Sequence, residues 1–212
     1  MRTEIVETSY ERPDAAVLDR AAEAIRRGGI VAVPTDALYV LAADPFNLNA
    51  VAAVFRAKGR ESHLALPILV DSIEMAEDYA ATPLDARFYQ LARRFWPGPL
   101  TLIVPSSSKL PLKVTGNSGR LAVRRSDAPI AQELTIRLNS PIIATSANVS
   151  GQPTCSSGID VFGTMDGRID LILDAGAVSE APATTLDITE PEWKLIREGA
   201  LTRRRIEDFL EE

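Results

Sequence analysis

The sequence predicts an α/β fold, a single domain built on a sheet of mixed parallel and antiparallel strands with flanking helices. Three observations lead there. Short apolar runs of strand length alternate with longer segments whose apolar residues recur at helical spacing. Toward the C-terminus, neighbouring strand candidates are separated by only a few residues, too few for a crossover, so some pairs must be antiparallel. A chain of 212 residues, 46% hydrophobic and 25% charged, has an ordinary globular balance and can bury a real core. Aromatic residues make up only 6%, so that core must be mainly Ala, Val, Leu and Ile. No repeat, low-complexity tract or long linker divides residues 1–212, which read as one domain with a core over about 14–200.

The first helix is expected from Asp14, whose carboxylate can cap the free N–H groups of AAVLDRAAEAIRR. Val17, Leu18, Ala21, Ala22 and Ile25 give it one apolar face, and Gly28-Gly29 ends it. Residues 30–33 follow as a buried strand. Asn47 is placed to cap a second helix carrying Val51, Val54 and Phe55 and ending near Lys58. Residues 66–70 read as a strand. Pro83 suits the first turn of a third helix with Leu84, Phe88, Leu91 and Phe95 inward, broken by Trp96-Pro97-Gly98-Pro99. Strands are expected at 100–104 and 121–124, a helix from Pro129 to Leu138, and strands at 142–144, 170–173, 184–188 and 193–196. The segment TRRRIEDFLEE closes the chain as a short helix.

Composition removes several function classes. No apolar run approaches the roughly 20 residues a membrane span needs. The N-terminal stretch is too acidic and polar for a secretory signal. A lone cysteine, Cys155, fits a reducing compartment, so a cytoplasmic location is expected. One His and one Cys cannot make a His/Cys metal centre, and His63 reads as a surface histidine. Glycine-rich phosphate loops and a nucleophile elbow are missing. A net charge of −6 argues against general nucleic-acid binding. Any catalysis should therefore come from positioning and charge.

Polar segments at strand ends are where α/β proteins place ligands. After IVAV comes Pro34-Thr35-Asp36-Ala37-Leu38-Tyr39, which offers a hydroxyl and a carboxylate to a crevice, or simply turns the chain. Lys58-Gly59-Arg60 could converge on a polyanion; on spacing alone it also suits a solvated helix end, where cations oppose the dipole. Ala144 leads into Thr145-Ser146-Ala147-Asn148-Val149-Ser150-Gly151, a loop of small donors able to approach an anion or to bond to its own backbone. Arg124 and Arg197 each end a strand. Alone, each reads as an edge arginine; with Lys58 and Arg60 they form a set of cations at element ends in an acidic chain.

These segments resemble the YrdC-like family, the threonylcarbamoyl-adenylate synthases. The matching pieces are GGIVAVPTDALYVLAADP, RAKGR, FWPGPLTLIVP, LAVRRSDAP, PIIATSANVSGQPT, ATTLDI and IREG. The resemblance implies a twisted mixed sheet around a large positive cavity, in the short form of the family without a further C-terminal domain. It implies a nucleotidyltransferase joining L-threonine, bicarbonate or CO2, and ATP with Mg2+, for threonylcarbamoyladenosine modification of tRNA. ATP contacts are implied for Lys58, Arg60, Ser146, Asn148, Thr154 and Arg197, with Lys58 and Arg60 catalytic. Substrate contacts are implied at Thr35, Ala37, Arg124, Ala144 and Thr184, with Arg124 on the amino-acid carboxylate. tRNA and the threonylcarbamoyl transferase proteins are the implied partners. The family's PTDTxYGL is PTDALYVL here, and its KxRPxxKPL is KGRESHLALP, so Ala37, Val40, Glu61, Leu64 and Ala65 depart from the pattern. Glu61 would set a negative charge beside the polyphosphate. Two other readings stay open: a non-catalytic nucleotide- or double-stranded-RNA-binding protein, and a paralogue making another carbamoyl-adenylate.

Overall fold

A computed structural model describes residues 2–211. Among the described residues ten strands form one sheet: β1 (Glu4–Glu7), β2 (Val31–Val33), β3 (Val40–Ala43), β4 (Ile68–Leu69), β5 (Leu100–Pro105), β6 (Arg120–Arg124), β7 (Ile142–Ser146), β8 (Leu171–Asp174), β9 (Thr184–Asp187) and β10 (Lys194–Arg197). Their spatial order is β1-β8-β2-β3-β7-β4-β6-β5-β9-β10. The pairs β1–β8, β2–β8, β4–β6 and β5–β9 are parallel, and the other five are antiparallel, so the sheet is mixed as expected.

Eight helices among the described residues accompany it: α1 (Ala15–Arg26), α2 (Leu48–Lys58), α3 (Ile73–Tyr79), α4 (Ala86–Phe95), α5 (Leu112–Thr115), α6 (Pro129–Leu138), α7 (Gly158–Met165) and α8 (Arg203–Leu210). The anticipated caps form. The Asp14 carboxylate accepts from the N–H groups of Ala16 and Val17, and the Asn47 side chain accepts from those of Asn49 and Ala50. Gly59 ends α2 at φ 57°, a left-handed conformation that glycine adopts without strain.

Several elements differ from expectation. The third helix starts at Ala86, capped by Asp85, and a separate α3 capped by Ser72 precedes it. Residues 66–70 pair only at Ile68–Leu69. β1, β3 and α7 were not anticipated. β1 is a largely exposed edge strand with no apolar run, and β3 sits inside a segment first read for its polar residues.

Two cores flank the sheet. On one face α1 and α6 pack Leu18, Ile25, Ile130 and Leu134 against Val31, Val33, Val40, Leu69, Ile142 and Leu171. On the other, α2, α4 and α7 contribute Val54, Phe55, Phe88, Leu91 and Val161 against Leu41, Leu102, Val123, Ile143, Ile172 and Leu186. The α1/α6 core includes no residue of β5, β6, β9 or β10. Helical cover on that face therefore stops near β4, leaving the second face of four strands open.

Tyr39 ties this arrangement together. Its ring is fully buried, and its hydroxyl donates to the Gly176 carbonyl at 2.8 Å and accepts from the Ala175 N–H at 3.0 Å. Burial pushes the phenol up to about 12, and the nearby Asp174 carboxylate adds to the shift. Its backbone accepts from Ala147 and donates to Cys155, so one residue joins three segments around the loop after β2. Tyr39→Phe strands two partly buried backbone groups and should cost about 2 kcal/mol. Thermal melting should read this as a Tm lower by several degrees.

Candidate active site

The uncovered half-face forms the floor of a cavity of about 470 Å3. Strand parity sets its chemistry. Along β5, Leu100, Leu102 and Val104 point into the core while Thr101 lines the cavity. Along β6, Leu121 and Val123 go inward while Ala122 and Arg124 line it. The register aligns Arg197 opposite Thr185, and Thr185 opposite Thr101, so three strands present one polar row. Val40 and Leu69 belong both to the α1/α6 core and to the cavity wall, marking where helical cover ends. The loops contribute Thr35, Ala37 and Leu38 after β2, and Arg60 and Ala65 after α2.

Three arginines line the wall at two poles. At the first, Arg60 donates from Nη2 to the Ala65 carbonyl at 3.0 Å, while its Nε is buried without a partner. Ser146 stands on the same wall. At the second, Arg197 spends Nε and Nη2 on one acceptor, the Ala183 carbonyl, at 3.1 and 2.9 Å. Arg124 shares this pole. It is 5% exposed, and its guanidinium makes no hydrogen bond to any described residue. Asp36 Oδ1 lies 3.5 Å from its Nη1. Burial pulls the Arg124 pKa down, Asp36 pulls it back up, and the like charge of Arg197 lowers it again. Arg60 and Arg197 are also lowered by burial.

Of the residues singled out in the sequence, the cavity brings together Thr35, Ala37, Arg60, Arg124, Ala144, Ser146 and Arg197. The others lie elsewhere. Lys58 is buried, and its ammonium donates to the carbonyls of Ser146 and Asn148 rather than facing the cavity. It fastens the loop after β7, which in turn donates from the Ser150 N–H to the Lys58 carbonyl. Asn148 is also turned inward, donating to the Val149 and Gln152 carbonyls. Thr154 is exposed and lies off the wall.

Thr184 is fully buried. Its hydroxyl donates to the Leu201 carbonyl and accepts from the N–H groups of Gly199 and Leu201. Its neighbour Thr185 lines the cavity instead, because consecutive strand residues face opposite ways. Asp36 sits behind Arg124 rather than in the wall. Glu61 is 74% exposed and pairs with the equally outward His63, so its charge faces solvent. Thr145, named in the sequence as the start of a polar loop, also lines the cavity as the next-to-last residue of β7. Thr101 and Thr185 were missed by the sequence reading: Thr101 is a lone Thr between apolar strand residues, but the alternation alone does not say which face is open.

Residues 23–199 match the Sua5/YciO/YrdC family, which carries the description telomere recombination, and the chain belongs to that family. Among the curated relatives it is similar to the threonylcarbamoyl-AMP synthase of Pyrococcus abyssi, with 39% identity over 91% of this chain and 56% of that protein. The threonylcarbamoyl-AMP synthase of Halorhodospira halophila is 36% identical over 72% of this chain and 80% of its own length. The crystal structure of P. abyssi Sua5 complexed with L-threonine superposes with a TM-score of 0.94 at 37% identity, covering 98% of this chain and 61% of that one. E. coli YciO, at 23% identity and a TM-score of 0.87, shares the fold, covering 93% of this chain and 96% of its own. This chain thus spans little more than half the length of the archaeal relative.

Two measurements check these placements. Thr184→Val should lower stability by about 2 kcal/mol, whereas Thr185→Val, whose hydroxyl bonds to no described residue, should stay within about 0.5 kcal/mol; denaturant titration separates them. The second concerns pH. Burial, with help from Arg60, lowers the Lys58 ammonium to about 8 from an ordinary 10.5. Between those two values the unfolded chain holds the proton and the folded one does not, so stability from this group rises with pH. Wild type should gain on Lys58→Met as pH climbs from 8 toward 10, read as a widening gap in Tm.

Proposed function

We propose that this chain makes threonylcarbamoyl-AMP from L-threonine, bicarbonate or CO2, and ATP, releasing pyrophosphate. The adenylate would serve as the donor for threonylcarbamoyladenosine modification of tRNA. tRNA and the transferase proteins that consume the adenylate are the downstream partners of this reading, and the cytoplasm is its setting. Among the described residues no helix is long and apolar enough to cross a membrane. The observation that carries the proposal is the guanidinium of Arg124, buried in a cavity wall without a hydrogen bond to any described residue, in a cavity that Arg60 also lines. The relatives' names and the threonine-bound Sua5 structure supply the substrate class.

In this reading Arg124 takes the amino-acid carboxylate, Arg197 beside it contacts ATP as the resemblance implies, and the Arg60/Ser146 pole faces the polyphosphate. The neutral amine captures CO2 as a carbamate anion, its C–N bond forming as one N–H proton is released to solvent. A carbamate oxygen then attacks the α-phosphorus, forming the mixed anhydride as the bond to pyrophosphate breaks. The nucleophile is already an anion, so this step needs no enzymic base. It needs relief from anion–anion repulsion, roughly 4 kcal/mol for unit charges about 4 Å apart at an effective dielectric near 20. Guanidinium groups fixed in place before the substrates arrive meet that need, together with in-line alignment. Among the described residues no group of three His, Cys, Asp or Glu could hold a metal ion. Mg2+ would enter with ATP as part of the substrate, in keeping with its preference for phosphate and water ligands.

The replacements at Ala37 and Val40 lie in the cavity wall, which makes the amino-acid side chain the part of the substrate to test first. Purified protein should convert MgATP to pyrophosphate only when bicarbonate and L-threonine are both present, with the threonylcarbamoyl adenylate detected by mass. A stronger response to another amino acid would move the assignment to a paralogous carbamoyl-adenylate. No pyrophosphate with any amino acid would overturn the enzymatic reading. Arg60→Ala should slow adenylate formation by more than about tenfold. Arg124→Ala should raise KM for threonine more than KM for ATP.

A further inference from the structure

We propose that Asp36 is a positioning residue, held from the β6–α6 loop, that aims the Arg124 guanidinium at the amino-acid carboxylate. The inference rests on the reading of the cavity given above. Asp36 belongs to the loop after β2 and Arg124 ends β6, so the fold alone brings them together. Asp36 is largely buried, with 13% of its side chain exposed. Its Oδ1 accepts from the Ser126 hydroxyl and from the Asp127 N–H at 3.2 Å. Ser126 is itself anchored: its hydroxyl accepts from the Ala128 N–H, and its carbonyl accepts from the Gln132 side chain on the first turn of α6. A chain of contacts thus runs from α6 through Ser126 and Asp36 to Arg124.

The separation gives the contact its character. At 3.5 Å, with no hydrogen bond formed, the carboxylate attracts the guanidinium and fixes its direction without using any of its donors. The surface pair of Arg87 and Asp85 shows the contrast, with hydrogen bonds at 2.9 and 2.7 Å occupying two of the arginine's nitrogens. A guanidinium held in that way would have little left for a ligand. Asp36 also offsets the repulsion between Arg124 and Arg197, the other cation of the pole. Without the carboxylate, the buried Arg124 charge would stand uncompensated beside Arg197, and the Arg124 side chain would be pushed to new rotamers. Asp36 stays out of the wall, so it acts through Arg124 and not on the substrate.

Asp36→Asn keeps the shape and can still accept from Ser126 and Asp127, but removes the charge. Its KM for threonine should rise about five- to thirtyfold, the range that coupled neighbouring charges support. KM for ATP should stay within about twofold. Asp36→Glu should recover part of the loss, and Ser126→Ala should shift threonine KM in the same direction by less. In an Arg124→Ala background, Asp36→Asn should add nothing. Equal changes in both KM values, or a further loss on top of Arg124→Ala, would overturn the proposal. Calorimetric titration of threonine keeps the two readings apart. Wild type that binds threonine while Asp36→Asn binds it equally well sinks the positioning role alone. Wild type that binds no threonine sinks the reading of the cavity, and this role with it.

Discussion

A charged guanidinium buried without a hydrogen-bonding partner is the constraint around which this molecule is arranged. Moving such a group out of water is costly unless other groups restore what water gave. Arg124 is given one carboxylate at 3.5 Å and no acceptor among the described residues. Arg60 and Arg197 each bond to a single backbone carbonyl and keep nitrogens in reserve. Backbone carbonyls carry no net charge, so they orient these arginines while leaving each guanidinium's own charge unneutralised. The folded state therefore holds an electrostatic deficit that an anionic ligand removes, and stability has to be secured elsewhere.

It is secured by the sheet. Both faces of the β2, β3, β7 and β8 region are covered, with α1 and α6 on one side and α2 and α7 on the other. Toward β10 only one face is covered, and the same strands carry large apolar residues inward and Thr, Ala or Arg outward. Period-two alternation thus does two jobs on one strand: Leu102 and Leu186 anchor it while Thr101 and Thr185 furnish the cavity. Lys58, Asn148 and Thr184 sit one layer behind that wall. Each satisfies backbone carbonyls of a loop, so their polar atoms rigidify the frame in which the arginines act.

That division explains which features could be read from the sequence. α1 and α2 were legible because a capping side chain, an apolar stripe and a stop signal coincide in each, and α6 because Pro129 opens it ahead of an apolar stripe. The strand-end arginines were legible only as a set with Lys58 and Arg60, because each alone reads as an edge arginine. The direction of Lys58 was not, since it depends on where the loop after β7 folds back, a contact 88 and 90 residues away in sequence. Thr184 and Thr185 were beyond resolution for a different reason. Both parities of ATTLDI leave Thr on one side, and only the missing helix beyond β4 decides which side is open. β1 and α3 are short and lean on neighbours formed late in the chain or on weak apolar patterning, so local signal could not define them.

The replacements in the loop after β2 have a physical consequence that follows from the same geometry. Thr35 cannot stand in for a hydroxyl missing at Ala37. Its Oγ1 already donates to the Leu38 carbonyl and accepts from the N–H groups of Ala37 and Leu38. With Ala37, Leu38 and Val40 beside it, this edge of the wall is apolar. The hydroxyls without hydrogen bonds to described residues belong instead to Thr101, Thr145 and Thr185, on the strands. A polar substituent on a small bound molecule would therefore turn toward the strand row, and an apolar one toward the loop. On the proposed reading Arg124, at the end of β6, would hold the carboxylate end of such a molecule against both surfaces, so the choice between them would fall to the side chain alone.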